Sequence, residues 1–217
     1  MAHEKMPEDI KSFNIPEILP IMGIDNIVFP KMIFPLEVID EHSIKLVDEV
    51  MAGDRLMGIV LSKNDPQDRE EKCPALPSSE MGTCAVILKM AKGSDNRTQL
   101  LVQGLSRFKI TEYLEGKPYR QARITLLEDE QVKDIEIEAL MHNLTALFER
   151  VVKLSPFLPP EFGAMAKTIS EAGTLADMIA SIINTSPEEK NKILTTMDVK
   201  ERLREVTLLI NHQVEIL

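Results

Sequence analysis

Side chains that could bind a metal ion or act as nucleophiles are few in this 217-residue chain. The two cysteines, Cys73 and Cys84, lack the second pair that a structural zinc site needs. We interpret them as free thiols of a reducing, cytoplasmic setting, because a secreted disulfide framework requires more cysteines. The four histidines form no H-x-x-x-H pair, so the sequence predicts no metal site. They are His3, His42, His142 and His212.

Motifs of two common kinds of catalytic site are also missing from the sequence. A phosphate-binding loop needs G-x-x-x-x-G-K-[ST], and a serine hydrolase elbow needs G-x-S-x-G; neither run occurs. The acidic clusters at 128–130 and 187–190 lie where a predicted strand ends and a predicted helix begins. We interpret them as solvated carboxylates or as partners of a helix dipole. We therefore predict no catalytic or cofactor-binding residues and no enzymatic activity in this chain.

Charge and hydropathy argue against two classes of partner. The formal net charge is −10 at pH 7, whereas binding to a phosphate backbone requires clustered Lys and Arg. No uncharged apolar run approaches the roughly 18 residues that cross a bilayer. The first residues, MAHEKMPEDIK, alternate in charge and lack the apolar core of a secretory signal. We predict a flexible leader at 1–14, no membrane partner, and a cytoplasmic protein.

Two hairpin patterns predict an antiparallel β region in the first half of the chain. The β-rich runs at 83–93 and 97–104 flank KGSDNR, whose small and polar residues suit a chain reversal. The runs at 106–114 and 119–128 flank EGKP in the same way, and the second alternates apolar and polar residues. The latter pattern is typical of a half-buried strand.

One helix is predicted within this β region. Its apolar face holds Ile44, Val47, Val50 and Met51, with Asp40 as N-cap and Gly53 as the stop. The charged and proline-containing stretch 63–79 is predicted to be a long exposed loop.

The stretch IVFPKMIFPLEV, 27–38, contains two prolines that remove backbone donors. It is therefore predicted to form two short strands with a bend. Pro30 would end the first strand, and Pro35 would lie at a sheet edge or bulge.

After about residue 128 the pattern becomes helical. A stripe at helical spacing predicts a first helix that ends near Leu154. Its members are Ile137, Leu140, Met141, Leu144, Leu147, Phe148, Val151 and Leu154. Pro160 is expected to open a short helix to about Ser170, and Thr174 to cap the next one.

Two further helices are predicted towards the C-terminus. Ser186, Pro187 and Glu189 form a capping-box pattern for the first of them. Asp198 starts the last helix, which reaches Leu217 without a stop signal. We expect this helix either to continue in a longer parent protein or to lie against a partner.

Four stretches in order resemble the N-terminal domain of the Lon protease family. The first contains Leu19-Pro20, Val28 to Pro30 and Pro35-Leu36, which match the family's Leu-Pro, V-x-F-P and Pro-Leu motifs. MGTCAVI resembles Val-Gly-Thr-Val-Ala-x-Ile, LVQGLSRFKI resembles a Val-x-Gly-x-x-Arg strand, and MDVKERL resembles an Asp-x-x-x-Arg-Leu helix start. The resemblance covers about 15–217.

The resemblance implies an α+β fold. Residues 15–128 would form a PUA-like antiparallel β pseudo-barrel with one helix, and residues 129–217 a helical bundle ending in the long helix. It also implies a non-catalytic role in the recognition of unfolded or damaged polypeptides and in assembly of a hexameric ATP-dependent serine protease. ATP, magnesium and a Ser-Lys dyad would belong to downstream domains of the parent protein.

Two alternatives to this reading are a standalone domain that binds clients without a protease, and a PUA-like nucleic-acid-binding module. The acidic composition disfavours the second. Exposed apolar patches are the expected form of a site that binds unfolded chains, and methionine adapts to varied partners. The candidate client-binding residues are Met32, Phe34, Phe157, Leu158 and Phe162. The competing interpretation is that all five belong to the core.

Overall fold

A computed structural model describes residues 13–62, 80–93, 97–132 and 134–216. The described part contains six strands and six helices in two successive groups. The first group is β1 (Ile18–Ile24), β2 (Ile33–Val38), α1 (Glu41–Ala52), β3 (Leu56–Leu61), β4 (Met81–Lys92), β5 (Thr98–Leu114) and β6 (Gln121–Leu127). The second group is α2 (Ile135–Leu154), α3 (Glu161–Thr168), α4 (Ala172–Ile182), α5 (Pro187–Thr195) and α6 (Val199–Ile216).

Both predicted hairpins are confirmed, and β5 is the strand they share. It pairs antiparallel with β4 and β6, and its first residues also pair with β2. The pairings from β5 through β4, β3, β1 and β6 return to β5, so these five strands form a closed ring. The fold class is confirmed as α+β.

The sheet is mixed, so the expectation of a wholly antiparallel barrel is wrong in one pairing. Strands β1 and β3 run parallel, with Ile21 opposite Gly58. A parallel pair needs a long crossover, and β2 with α1 supplies it between the two strands.

The stretch 27–38 forms one strand and not the two that were predicted. The backbone at 27–29 is irregular, a turn follows at Pro30 and Lys31, and only β2 is extended. The side chains of Ile27 and Phe29 enter the core of the helical half instead of joining a sheet face. Pro35 lies on β2, an edge strand, as predicted.

Glycine at position 104 allows this turn to pack directly on β5. Lys31 N donates to Gly104 O, and Gly104 N donates to Met32 O, both at 2.9 Å. A Cβ at position 104 would overlap the Phe29 carbonyl oxygen. The turn is therefore fixed to the barrel wall by backbone contacts.

The predicted helix over the barrel is confirmed as α1. Asp40 accepts a hydrogen bond from Ser43 N at 2.8 Å, and the helix ends before Gly53. Leu46, Val47 and Val50 are buried against one core of the barrel. The predicted loop at 63–79 lies outside the described residues.

Most helix boundaries of the second half agree with the sequence. The capping box of α5 is present, with Ser186 accepting from Glu189 N at 3.2 Å. Asp198 likewise caps the start of α6 by accepting from Glu201 N at 2.9 Å.

The predicted starts of α3 and α4 need correction. Pro160 is the N-cap of α3 and not its first helical residue. Thr174 does not cap α4, because the helix begins two residues earlier, after Glu171. The Thr174 hydroxyl instead bonds the Glu171 carboxylate and accepts from Lys31 of the barrel.

The change from strands to helices falls between Leu127 and Ile135. The predicted subdomain boundary at 128/129 stays a prediction, and one core cluster includes residues from both halves. Ile27, Phe29 and Leu61 of the barrel are buried in it with the helices. Phe13, within the predicted leader, packs on the barrel.

Two glycine substitutions test the packing of this fold. Gly104→Ala should lower the free energy of unfolding by about 2 kcal/mol or more, because the new methyl group overlaps the Phe29 carbonyl. Gly163→Ala in α3 should raise it by about 0.5–1 kcal/mol, since its Cβ would meet only Glu149 Cγ, at 3.6 Å. Denaturant unfolding measures both, and a Gly104→Ala protein of unchanged stability would contradict the described turn.

Candidate functional site

The turn between α2 and α3 has backbone hydrogen bonds at both ends, and two of its side chains pack on the helical bundle. Ser155 N donates to Val151 O at 2.9 Å, and Phe162 N donates to Pro159 O at 3.1 Å. The side chains of Leu158 and Phe162 are half-buried and pack against the helical core. Three prolines between these points keep α2 from continuing. The turn thus has a fixed shape.

Large apolar side chains project from this turn into solvent. Phe157 is 90% exposed, and Leu154 and Met165 are each 49% exposed. Met165 lies three residues after Phe162, so the two are neighbours on the surface of α3. We call Leu154, Phe157, Leu158, Phe162 and Met165 the α2–α3 surface. Exposed apolar groups concentrated in this way are typical of protein-binding sites.

Two members of the α2–α3 surface were missed from the sequence. Leu154 was assigned to the buried stripe of α2, but it is the last residue of the helix, where the covering elements end. Met165 gave no signal, because its exposure depends on how α3 is rotated against α2. Phe157, Leu158 and Phe162 were named as candidates, and only Phe157 is largely exposed.

The other two candidates, Met32 and Phe34, belong to the barrel half of the chain. Met32 directly precedes β2, and Phe34 lies within it. Both side chains are half-buried. Met32 packs against the helical core, whereas Phe34 packs against a core of the barrel. Ile33 between them is 46% exposed on the edge strand. A role of Met32 and Phe34 in client binding stays a prediction.

A cluster of four charged side chains, three of them buried and one half-buried, lies where the barrel meets the bundle. Arg107 of β5 makes a two-pronged contact with Asp177 of α4, with N–O distances of 2.8 and 2.6 Å. Its Nε donates to Leu194 O of α5 at 2.9 Å. The side chains of Arg107 and Asp177 are each only 3% exposed. This pair alone joins three elements.

Arg202 of α6 makes the second pair of the cluster. Its two terminal nitrogens contact the Asp129 carboxylate at 2.7 Å each, and its Nε donates to Thr196 O at 2.8 Å. Arg202 is fully buried. Gly173 makes room for the Asp129 carboxylate, which a Cβ there would overlap. The interpretation of 128–130 as merely solvated is therefore wrong for Asp129.

The two pairs are close enough to act as one network. Arg107 Nη1 lies 3.9 Å from Asp129 Oδ2, and Arg202 Nη1 lies 3.6 Å from Asp177 Oδ1. Each cation therefore faces two carboxylates, and the two positive charges balance the two negative ones. Such a closed arrangement stabilises a packing geometry and leaves no charge directed at a ligand.

Electrostatics agree with that structural role. Burial alone would raise the pKa of Asp129, but the hydrogen bonds from Arg202 and the charges of Arg107 and Arg202 hold the pKa below its ordinary value of 3.8. Hydrogen bonds from Lys31 and Thr174 likewise lower the pKa of Glu171. The Glu171 carboxylate links the barrel turn at Lys31 to α4, and the Asp129 carboxylate links the segment after β6 to α6.

The described residues offer little for catalysis or metal binding. Burial raises the pKa of the Cys84 thiol to about 12, so it stays protonated and unreactive at neutral pH. Within the described ranges, no group of three His, Cys, Asp or Glu side chains is placed to hold a metal ion. Among the described helices, none combines the length and hydropathy that a membrane span requires.

Comparison with known proteins identifies one family. Residues 18–212 match the family model described as the ATP-dependent protease La (LON) substrate-binding domain. The Lon protease of Syntrophus aciditrophicus is 54% identical over 219 residues, which is all of this chain but 28% of that protein. The Lon protease of Desulfosudis oleivorans is 43% identical, again over all of this chain but 27% of its own length. The chain spans little more than a quarter of these relatives.

Two solved structures share the fold. The N-terminal domain of a Mycobacterium avium complex Lon protease aligns with a TM-score of 0.72 and 22% identity, covering 89% of this chain and 98% of that one. A Lon N-terminal domain protein from Xanthomonas campestris aligns with a TM-score of 0.63 and 18% identity, covering 88% and 97%.

The buried network predicts a strong coupling between Arg107 and Asp177. Asp177→Leu should destabilise the fold by about 3–5 kcal/mol, because it leaves a buried guanidinium without its main partner. The double variant Arg107→Met/Asp177→Leu should lose clearly less than the sum of the two single changes. Denaturant unfolding of the two single variants and the double variant measures the coupling, and additive losses at 107 and 177 would refute it.

Glu17→Gln is the control for an exposed ion pair. It removes an exposed partner of Arg123 and should change stability by less than about 0.5 kcal/mol.

Asp129 predicts a loss of stability in acid. Because its pKa is lower in the folded protein than in the unfolded chain, its carboxylate stabilises the fold at neutral pH. That contribution is retained above the ordinary carboxyl pKa and is lost as the pH falls through it to the lower folded-state value. Unfolding free energies measured between neutral and strongly acidic pH should fall less steeply for Asp129→Asn than for the unchanged protein. Equal slopes would contradict the assignment.

Proposed function

Because this chain belongs to the ATP-dependent protease La (LON) substrate-binding domain family, we propose that it recognises unfolded or damaged polypeptides for a longer protease. The observation that supports this function most directly is the α2–α3 surface. There Phe157 is 90% exposed on a turn whose backbone is fixed. This apolar side chain is therefore open to contact with another molecule.

The chemistry of the α2–α3 surface suits partners that are recognised by their apolar side chains and not by a specific sequence. Phe157 supplies a large aromatic anchor, and Met165 supplies a flexible thioether that adapts to different shapes. The half-buried Leu158 and Phe162, close to these two in the chain, pack against the helical core. Folded proteins hide their apolar side chains, whereas unfolded or damaged ones expose them. The surface therefore distinguishes the two states by hydrophobic contact.

The rest of the proposed function concerns the parent protein. The curated relatives are nearly four times as long as the part that aligns with this chain. We infer that the chain is the non-catalytic N-terminal region of a cytoplasmic, ATP-dependent serine protease with a Ser-Lys dyad. In that protein ATP and magnesium bind a downstream ATPase domain. This region also supports assembly of the hexamer that serves protein quality control.

A charge placed at Phe157 tests the binding site. Phe157→Asp should weaken binding to a reduced and alkylated, permanently unfolded protein by about tenfold or more, because it removes the exposed aromatic anchor. Its stability should be unchanged, since the side chain is almost fully exposed. Fluorescence anisotropy of the labelled client measures the affinity.

Leu208→Asp is the matched control for this test. Leu208 is also an exposed apolar residue, at 69%, but it lies on α6 outside the α2–α3 surface. Its substitution should leave client affinity unchanged. If Phe157→Asp binds the client as tightly as the Leu208→Asp protein does, the proposed site is wrong.

A further inference from the structure

The α2–α3 surface lies in a basic part of an otherwise acidic chain. Between Arg150 and Thr168 there are three basic side chains, Arg150, Lys153 and Lys167, and one acidic side chain, Glu161. The chain as a whole has a formal net charge of −10. The charge next to the exposed apolar residues is thus opposite in sign to that of the molecule.

Two of these basic groups remain uncompensated within the described residues. Lys167 pairs with Glu149 at 2.5 Å, so its charge is balanced locally. Arg150 and Lys153 are exposed in the last turns of α2, and neither forms an ion pair with another described residue. Arg150 precedes Leu154 by four residues, which places both on one face of the helix. These two cations form a rim beside the apolar side chains.

Several exposed lysines elsewhere do have carboxylate partners. Lys92 pairs with Asp48 and Lys117 pairs with Glu49, each at 2.7 Å. Arg150 and Lys153 have no such partner among the described residues, and they lie beside exposed apolar side chains.

We propose that the α2–α3 surface takes apolar polypeptide segments flanked by acidic residues. This inference rests on the proposed function and names the class of segment. The apolar centre of the segment covers Phe157, Leu154 and Met165, and an adjacent Asp or Glu reaches Arg150 or Lys153. Charges more than about 8 Å away are largely screened at physiological salt, so the rim outweighs the distant acidic groups of the chain.

Two labelled peptides test the inference. They share one apolar core of Leu, Ile and Phe, and carry pairs of Glu or pairs of Lys at both ends. The Glu-flanked peptide should bind the 217-residue chain about three- to tenfold more tightly at ~0.15 M salt, as expected for one or two exposed ion pairs. Anisotropy titrations measure both affinities, and the difference should shrink as salt rises.

Charge reversal of the rim provides the second arm. Arg150→Glu/Lys153→Glu should make the Lys-flanked peptide the tighter binder. Lys45→Glu/Lys109→Glu changes the net charge equally at exposed positions away from the rim, and should leave the preference for Glu flanks in place.

The outcomes separate this inference from the proposed function. Equal affinities, tighter binding of the Lys-flanked peptide, or an order that the rim reversal does not change would overturn the acidic-flank preference. If both peptides bind and Phe157→Asp weakens both, the proposed function still stands. If neither peptide binds, or if Phe157→Asp has no effect on either, the proposed function fails as well.

Discussion

Arg107 and Asp177 meet in a region from which water is almost excluded, and this contact fixes the barrel against the bundle. A guanidinium in such a place requires a carboxylate with matching geometry, because leaving it unpaired costs about 3–5 kcal/mol. That is a large share of the stability of an ordinary domain. Since Arg107 lies on β5 and Asp177 on α4, the register of the longest strand and the position of a bundle helix depend on one another. Arg202 and Asp129 extend the same requirement to α6 and to the segment after β6.

The network and the α2–α3 surface have opposite physical character. In the network every charge faces an opposite charge, so nothing remains to attract a ligand. At the surface, Phe157 is 90% exposed, and Arg150 and Lys153 have no carboxylate partner among the described residues. A closed polar junction together with an open apolar surface fits the proposed role of a rigid scaffold that presents a binding site. This arrangement suits a domain that captures polypeptides and leaves the chemistry to other parts of a larger protein.

Local patterns made much of the fold predictable, whereas contacts between distant residues did not show in the sequence. The capping box at Ser186 and the second hairpin depend on residues close together in the chain, and both were predicted correctly. The segment at Phe29 has the composition of a strand, and only its packing against β5 and the helices shows that it is a turn. The network was missed because Arg107 and Asp177 are 70 positions apart. One signal was available: Arg107 and Arg202 both lie in the motifs that carry the family resemblance. For the site, the proline-rich turn pointed to Phe157, but the exposure of Leu154 and Met165 depends on tertiary packing.

The proposed function requires that unfolded polypeptides contact this chain at the α2–α3 surface. The most direct measurement is site-specific photocrosslinking, with a benzophenone amino acid placed at Phe157 or, for comparison, at Leu208 on α6. Position 157 should crosslink efficiently to an unfolded client, an unlabelled apolar peptide should reduce this product, and position 208 should give little product. Equal crosslinking at both positions, or a product at 157 that the peptide does not reduce, would show that the α2–α3 surface is not the binding site.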